Sequence, residues 1–511
     1  MGAHGTGTTM KNMFNPIIFT RRRIIVIAIG IVGVAVIYST INFGVARYFG
    51  NSEKPRATAP TDAGAARRYD AIYRRLPSGF THCGRMLFFT APSDTSVRAV
   101  ADLAVPFTSF YKAYRLRDAI KSFNAISGDE IEKGQTVFIP HSLPALMPDM
   151  RNTRKPQLIL ARGLYYTGSS AGRESLLENI DEYKELGINC IVFDAKDVCG
   201  IVNYKSRVPE AIETDAHGKR TIDDIDQLIR ILKEKKIYVI ARLALFHDQH
   251  MFKHNPDWAI QSKSGDGPWR AEAKEKWLDP TNKAAQDYNL ALAVELAEKG
   301  VDEIQFDYIR FPTTGKQGDA EFAYDFGTMS RDDTITAFLK RAHEEIAKRN
   351  VLLSIDIFGV VAWGKEIDII KTGQRIERLA EHCDIISPML YPSHFNDDFD
   401  GYARPGDHPY YFIHEGCKKV IALAKGKTVR PWLQAFRWRV SNYNEHYIIK
   451  QVKAVKDSGA YGYLFWNAAN DYRVVLRAME SIDTETALAG ERSASPLAAR
   501  EVRNEHHERP R

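Results

Sequence analysis

The feature that most restricts the fold of this chain is an alternation of strand-like and helix-like segments from residue 157 to residue 479. Short apolar runs recur, each followed by a longer stretch with apolar residues at three- and four-residue spacing. That is the pattern of parallel strands joined by crossover helices. Eight strand candidates stand out: LILARGL (158–164), CIVFDA (190–195), IYVIARL (237–243), VDEIQFDYI (301–309), VLLSIDIF (351–358), CDIISPMLY (383–391), VRPWLQAF (429–436) and AYGYLFW (460–466). Helices are expected at 174–186, 222–235, 284–299, 332–349, 372–382, 409–424 and 445–458. Eight such units predict an α/β fold, a (β/α)8 TIM barrel. An open doubly wound sheet would call for a Gly-x-Gly-x-x-Gly loop after the first strand, and the sequence has none there.

Side chains alternate along a strand between the barrel interior and the surrounding helices, and barrel sites gather at the C-terminal strand ends. In VDEIQFDYI, Ile304 and Phe306 face the helices, so Gln305 and Asp307 face inward. In VLLSIDIF, Leu353, Ile355 and Ile357 face outward, so Ser354 and Asp356 face inward. Two carboxylates thus reach the top of the interior on consecutive strands, where an unpaired charge is costly unless something uses it. The same count turns inward Asp194 and Lys196 after strand two, Arg242 on strand three, Ser387, Met389 and Tyr391 on strand six, and Trp432 and Gln434 on strand seven. Strand eight offers Trp466 or Asn467. Carboxylates for chemistry, forked or amide donors for hydroxyls and aromatic faces for a pyranose are what a sugar site needs.

The segments outside this region differ in character. Residues 24–46 form an uncharged, mostly apolar run long enough to span a bilayer, preceded by Arg21, Arg22 and Arg23. The expectation is an uncleaved single-pass anchor in the inner membrane, with 1–23 cytoplasmic and everything after Ala46 on the periplasmic side. A signal peptide's apolar region is usually shorter and ends at a small-x-small site, whereas this run goes on into Tyr38 and Phe43, which argues against a cleaved signal peptide. Residues 47–79 read as a linker, rich in Pro, Ala, Thr and Gly over 51–66, and 481–511 as a disordered tail. The net charge of +6 is scattered, with no basic stripe interleaved with aromatics, so nucleic acid is not an expected partner. Five cysteines with irregular spacing suggest neither a disulfide scaffold nor structural zinc. His247, His250 and His254 lie in a segment of loop character without a suitably placed Glu, so no metal and no cofactor are expected.

Residues 80–145 read as a small α+β unit: a strand (MLFFT), a helix over 93–104, a second helical stretch to Phe123 and a strand (TVFIP). Its close, FNAISGDEIEKGQTVFIP, resembles the end of a LysM module through Asn124, Gly134, Gln135, Ile139 and Pro140. The opening, APSDTSVRAVA, departs from the Ser-Gly-Asp-Thr-Leu of that family. LysM modules bind N-acetylglucosamine-containing glycans, so the resemblance implies attachment to peptidoglycan or a related polymer.

The segments DEIQFDYIRFP (302–312), ARGLYYT (161–167), FDAKD (193–197), SIDIFG (354–359), SPMLYPSHF (387–395) and AFRW (435–438) resemble a bacterial family of glycoside hydrolase domains, distant relatives of the α-amylase-type barrels. The likeness covers about 157–480, most of the folded chain. In such barrels a catalytic Asp ends strand four, the position of Asp307. The strand-five acid of amylase-type barrels is Glu, whereas this sequence has Asp356.

Glycosidic cleavage generally uses two carboxyl groups, one as acid and one as nucleophile or base. The expectation is Asp307 as nucleophile or electrostatic stabiliser and Asp356 as general acid/base, with Asp194 the rival acid. Neighbouring strands lie about 4.8 Å apart, which favours the shorter carboxyl separation of retaining enzymes. Arg242, Tyr391, Trp432, Gln434, Trp466, Arg310 and Asp197 are expected to bind a polysaccharide substrate. The competing function is a non-catalytic glycan-binding or envelope scaffold, and a transglycosylase or lyase would keep the barrel with different chemistry.

Overall fold

All eight apolar runs become parallel strands of one closed barrel, in a computed structural model describing residues 76–482 apart from 84–85, 109, 141–149, 266, 272–274 and 325–328. The strands are β1 (Arg162–Tyr166), β2 (Cys190–Lys196), β3 (Tyr238–Ala244), β4 (Glu303–Asp307), β5 (Leu352–Phe358), β6 (Ile385–Met389), β7 (Trp432–Gln434) and β8 (Tyr463–Trp466). Each pairs with the next, β8 pairs with β1, and the register Asp356↔Ser387 between β5 and β6 continues the ring. No edge is left open to a further strand.

The expected segment 1–23, the anchor 24–46, the linker up to residue 75 and the tail beyond 482 lie outside the described residues. Among the described residues, no helix is long and apolar enough to cross a membrane.

The described residues divide into two units after Leu146. In the first, Met86–Thr90 pairs antiparallel with both Phe80–Cys83 and Thr136–Ile139. Helices Val97–Ala104 and Ala113–Phe123 bury Val97, Val100, Leu116 and Ile120 with Leu87, Phe89 and Ile139. The side chain of Asn124 donates to the carbonyls of Ile120 (2.8 Å) and Phe138 (2.7 Å) and accepts from the Phe138 N–H (2.8 Å), tying the second helix to the last strand. The extra strand at Phe80–Cys83 was not expected from the sequence.

In the barrel unit, side chains that start and stop elements explain most boundaries. Asp224 caps helix Ile225–Glu234, Asn282 caps Lys283–Glu298, Ser330 and Asp333 form a capping box on Arg331–Ala347, and Asn444 caps Glu445–Ser458. The first strand begins four residues later than expected. The Asn189 side chain takes the Arg162 N–H (2.8 Å) and donates to the Leu160 carbonyl (3.1 Å), so those groups are satisfied without a strand partner. The single helix expected at 372–382 is instead Glu366–Thr372 and Ile376–Leu379, interrupted at Gly373 (φ +75°), where an added Cβ would sit 2.9 Å from the Arg331 carbonyl oxygen.

Strand β2 corrects a second expectation. Its pairing with β3 shifts register between Asp194 and Lys196, and this bulge turns Lys196 out of the barrel. Lys196 is fully buried there, paired with Asp248 at 2.7 Å and donating to the carbonyls of Ala244 (2.6 Å) and Leu245 (3.1 Å) and to the Asn289 side chain (3.0 Å). It pins the loop after β3 to helix Lys283–Glu298. Removing one member of a buried ion pair strands the other, so Lys196→Ala should cost about 3–5 kcal/mol in equilibrium urea unfolding. A loss no larger than that of a surface ion pair would show that Asp248 has another way to be neutralised.

Candidate functional site

Arg242 sits near the top of β3, opposite Asp194 on β2 and Gln305 on β4 in the strand registers. Its inward direction, fixed by the two-residue period, aims a planar fork at three neighbouring carboxylates. Nη1 meets Asp194 Oδ1, Nη2 and Nε (3.2 Å) meet Asp307 Oδ2, and Nε lies 3.9 Å from Asp356 Oδ2. Each carboxylate has one further donor: the Tyr165 hydroxyl to Asp194 at 2.6 Å, the Tyr308 backbone N–H to Asp307 at 2.6 Å, and the Trp432 indole to Asp356 at 2.7 Å.

Three carboxylates around one guanidinium leave an excess of negative charge in a low-dielectric interior, so at least one must hold its proton. Burial pushes the Asp356 carboxyl well above its ordinary range, and the neighbouring charge of Asp307 adds to the push. Its Oδ2 has no hydrogen-bond partner among the described residues. Asp194 is also raised, mainly by burial, with Arg242 opposing. For Arg242, burial works against the charged form, but Asp194 and then Asp307 outweigh it and hold the guanidinium charged.

A cavity of about 570 Å³ opens over the C-terminal ends of β3 to β8, the usual place and size for a small-molecule site in a barrel. Asp307 and Arg242 form part of its floor, and Tyr391, Trp432, Trp466 and Arg310 part of its wall. Tyr308, the residue after Asp307, has φ +52°, unfavourable for a tyrosine. Its ring packs against the stacked pair His247 and Trp277, at centroid distances of 5.0 and 5.8 Å, and its N–H is turned back onto Asp307.

Several expected site residues are placed otherwise. Asp356 is 1% exposed, bonded to the Trp432 indole and outside the cavity lining, whereas Asp307 is 6% exposed and within it. Asp356 is therefore not set to meet a glycosidic oxygen in this cavity, and the spacing argument for retention does not follow from these two carboxyls. Asp194 is likewise covered, by Tyr165. Gln434 turns its amide to the carbonyls of Phe436 (3.1 Å) and Trp438 (3.4 Å) and to the Ser393 N–H (3.1 Å), spending every polar atom on loop backbone. Asp197 accepts the N–H groups of Cys199 (2.9 Å) and Ile201 (3.1 Å), closing its own turn. Strand eight presents Trp466 to the cavity, while the Asn467 amide donates to the carbonyls of Ala435 (2.6 Å) and Asp471 (2.9 Å).

Sequence reasoning missed Asp368. It lies in helix Glu366–Thr372, in the excursion after β5, and it is the second carboxylate in the cavity lining, with no partner for its side chain among the described residues. No strand period reaches that segment, so nothing in the sequence pointed to it. His394, from the loop after β6, also lines the cavity, and burial with the nearby Arg439 charge lowers its pKa to about 4, keeping the ring neutral at ordinary pH.

A closed parallel barrel carrying buried and exposed carboxylates at its C-terminal mouth defines the architectural class of many barrel glycosidases. The particular family follows from the sequence: a family model described as "Putative glycosyl hydrolase domain" matches residues 163–472. The chain belongs to that family, and its enzyme class is that of a glycosidase. No curated protein matches the sequence. Among solved structures it is similar to a hypothetical protein from Ruminiclostridium thermocellum ATCC 27405, at 35% identity over 38% of this chain and 96% of that chain, with a TM-score of 0.34. It is also similar to a beta-galactosidase from the psychrophilic Marinomonas ef1, at 9% identity over 65% of this chain and 60% of that chain, TM-score 0.47. A third is alpha-L-fucosidase isoenzyme 2 from Paenibacillus thiaminolyticus, at 14% identity over 65% of this chain and 50% of that chain, TM-score 0.45. The chain thus spans less than two thirds of the length of these two glycosidases.

The raised Asp356 has a consequence for stability. A carboxyl protonated in the folded state and ionised in the unfolded chain stabilises fully below the ordinary carboxylate range, and its contribution falls as pH rises toward the folded pKa. Asp356→Asn keeps an acceptor for Trp432 and removes the titration. Its denaturant midpoint should match the native chain near pH 4 and equal or exceed it near pH 8; a variant less stable at pH 8 but not at pH 4 would show that Asp356 is ionised in the fold.

Proposed function

We propose that this chain hydrolyses a polysaccharide of the cell envelope or its surroundings, with Asp307 acting at the anomeric carbon. The observation that carries this reading is a carboxylate gripped by a buried guanidinium yet open to an aromatic-walled cavity at the barrel mouth. Trp466, Tyr391 and Trp432 offer flat apolar faces to a pyranose, and Asp307 offers a fixed negative charge to an oxocarbenium-like transition state. The partner on the glycosidic oxygen is Asp368, the other carboxylate in the cavity lining. Asp356 and Asp194 act through Arg242, holding Asp307 in place rather than meeting substrate.

The same reading extends to the rest of the chain. Residues 24–46 would hold it in the inner membrane as a single-pass protein, with the linker carrying the 80–145 unit and the 157–480 barrel on the periplasmic side. The 80–145 unit, LysM-like in its two helices flanked by antiparallel strands and in its Asn124 turn, would hold peptidoglycan or a related polymer near the barrel.

Two substitutions test the chemistry. Against a panel of envelope and extracellular glycans, Asp307→Asn should abolish measurable turnover while ligand still binds. Asp368→Asn should lower kcat by about 10²–10⁴ and flatten one limb of the pH–rate profile. Hydrolysis by neither the native chain nor any variant would favour the glycan-binding scaffold instead. A loss confined to Asp356→Asn, with Asp368→Asn fully active, would return the acid role to strand five.

A further inference from the structure

Arg310 lies three residues beyond Asp307, in the segment leaving β4, and is 7% exposed. Its guanidinium is caged by three rings, with the carbon 4.9 Å from the centroids of Trp277 and Phe358 and 5.4 Å from Tyr308. Nη1 donates to the Phe311 carbonyl at 3.0 Å, and Nε is buried without an acceptor. Among the described residues no carboxylate lies within ion-pairing distance; Glu275 and Asp307 act on it only at longer range.

The other buried arginines of the barrel are not left this way. Arg242 has three aspartates, Arg430 has Glu303 and Arg230 has Glu234. Aromatic faces recover part of the cost of burying a cation, but they neither accept its N–H bonds in the guanidinium plane nor neutralise it. Arg310 also lines the same cavity as Asp307. A desolvated guanidinium on the wall of a ligand cavity, with no paired carboxylate among the described residues, is suited to receive an anion, and a planar fork suits a carboxylate or sulfate best.

We propose that the cavity takes an acidic saccharide, one bearing a carboxylate or a sulfate ester, and that Arg310 is the residue that reads that charge. This rests on the glycosidase reading above and narrows its substrate class. Discrimination follows from both sides. An anionic sugar brought toward Asp307 and Asp368 is repelled unless a cation meets it, and a neutral sugar closes the cavity over an unpaired guanidinium. The anion sits on the β4–β5 side of the cavity, against Phe358, leaving Trp466 and Tyr391 on the far wall to stack on the ring.

The test is calorimetric binding to the full chain carrying Asp307→Asn, so that the outcome does not depend on turnover. The probes are sodium glucuronate, sodium sulfate and neutral glucose. Saturable binding of glucuronate or sulfate, no comparable binding of glucose, and loss of the anion signal on adding Arg310→Met is the expected result, the tighter anion naming the source. Should Arg310→Met fail to fold, Arg310→Lys keeps the charge but not the fork and should weaken anion binding by about tenfold or more. No saturable anion binding, or anion binding indifferent to either substitution, overturns the proposal. Failure of the glycosidase reading shows separately, as absent hydrolysis by the native chain with anion binding intact.

Discussion

A single guanidinium organises the mouth of this barrel. Arg242 is the fixed positive charge against which Asp194, Asp307 and Asp356 arrive from three strands: it is ion-paired with the first two and lies 3.9 Å from the third. Burying an ionised carboxylate there without it would be strongly destabilising. The arrangement is also asymmetric: Tyr165 covers one carboxylate and Trp432 another, leaving only Asp307 open to the cavity. Electrostatic need and steric cover together select which of three chemically identical groups can meet a substrate.

The same logic recurs at the other end of the barrel. Arg430 pairs with Glu303 inside the ring, and the Tyr238 hydroxyl donates to the second Glu303 oxygen at 2.9 Å. Between Glu303 and Asp307 on the inward face of β4 lies Gln305, in register with Arg242 and Ser354, so the interior between the two charged clusters is itself partly polar. Outside the ring, the Lys196–Asp248 pair anchors the loop after β3, which carries His247 and Trp277 toward Tyr308. A buried ion pair remote from the chemistry thus bears on the strained residue that donates its N–H to Asp307.

How much of this was legible in the sequence depended on how far a side chain lay from a regular strand. On β4 and β5 the two-residue period placed Asp307 and Asp356 correctly, because nothing interrupts those strands. On β2 the same count failed at Lys196, where a bulge changes the phase. On β7 it placed Gln434 within the ring but could not foresee that loop carbonyls would consume its amide. Period also says nothing about cover: Asp356 points inward as expected, but it is bonded to the Trp432 indole and does not line the cavity. The loops supplied Asp368, His394 and the rings around Arg310, and their placement depends on tertiary packing that no local pattern encodes.

If Arg242 is the hub, its fork geometry and not merely its charge must matter, since one ammonium cannot meet three carboxylates along a plane. The most direct check is kcat of Arg242→Lys on whichever glycan the native chain cleaves. The account predicts a fall of roughly a hundredfold or more, because Asp307 loses its fixed position while the cavity walls remain. Turnover within a few-fold of the native chain would contradict it.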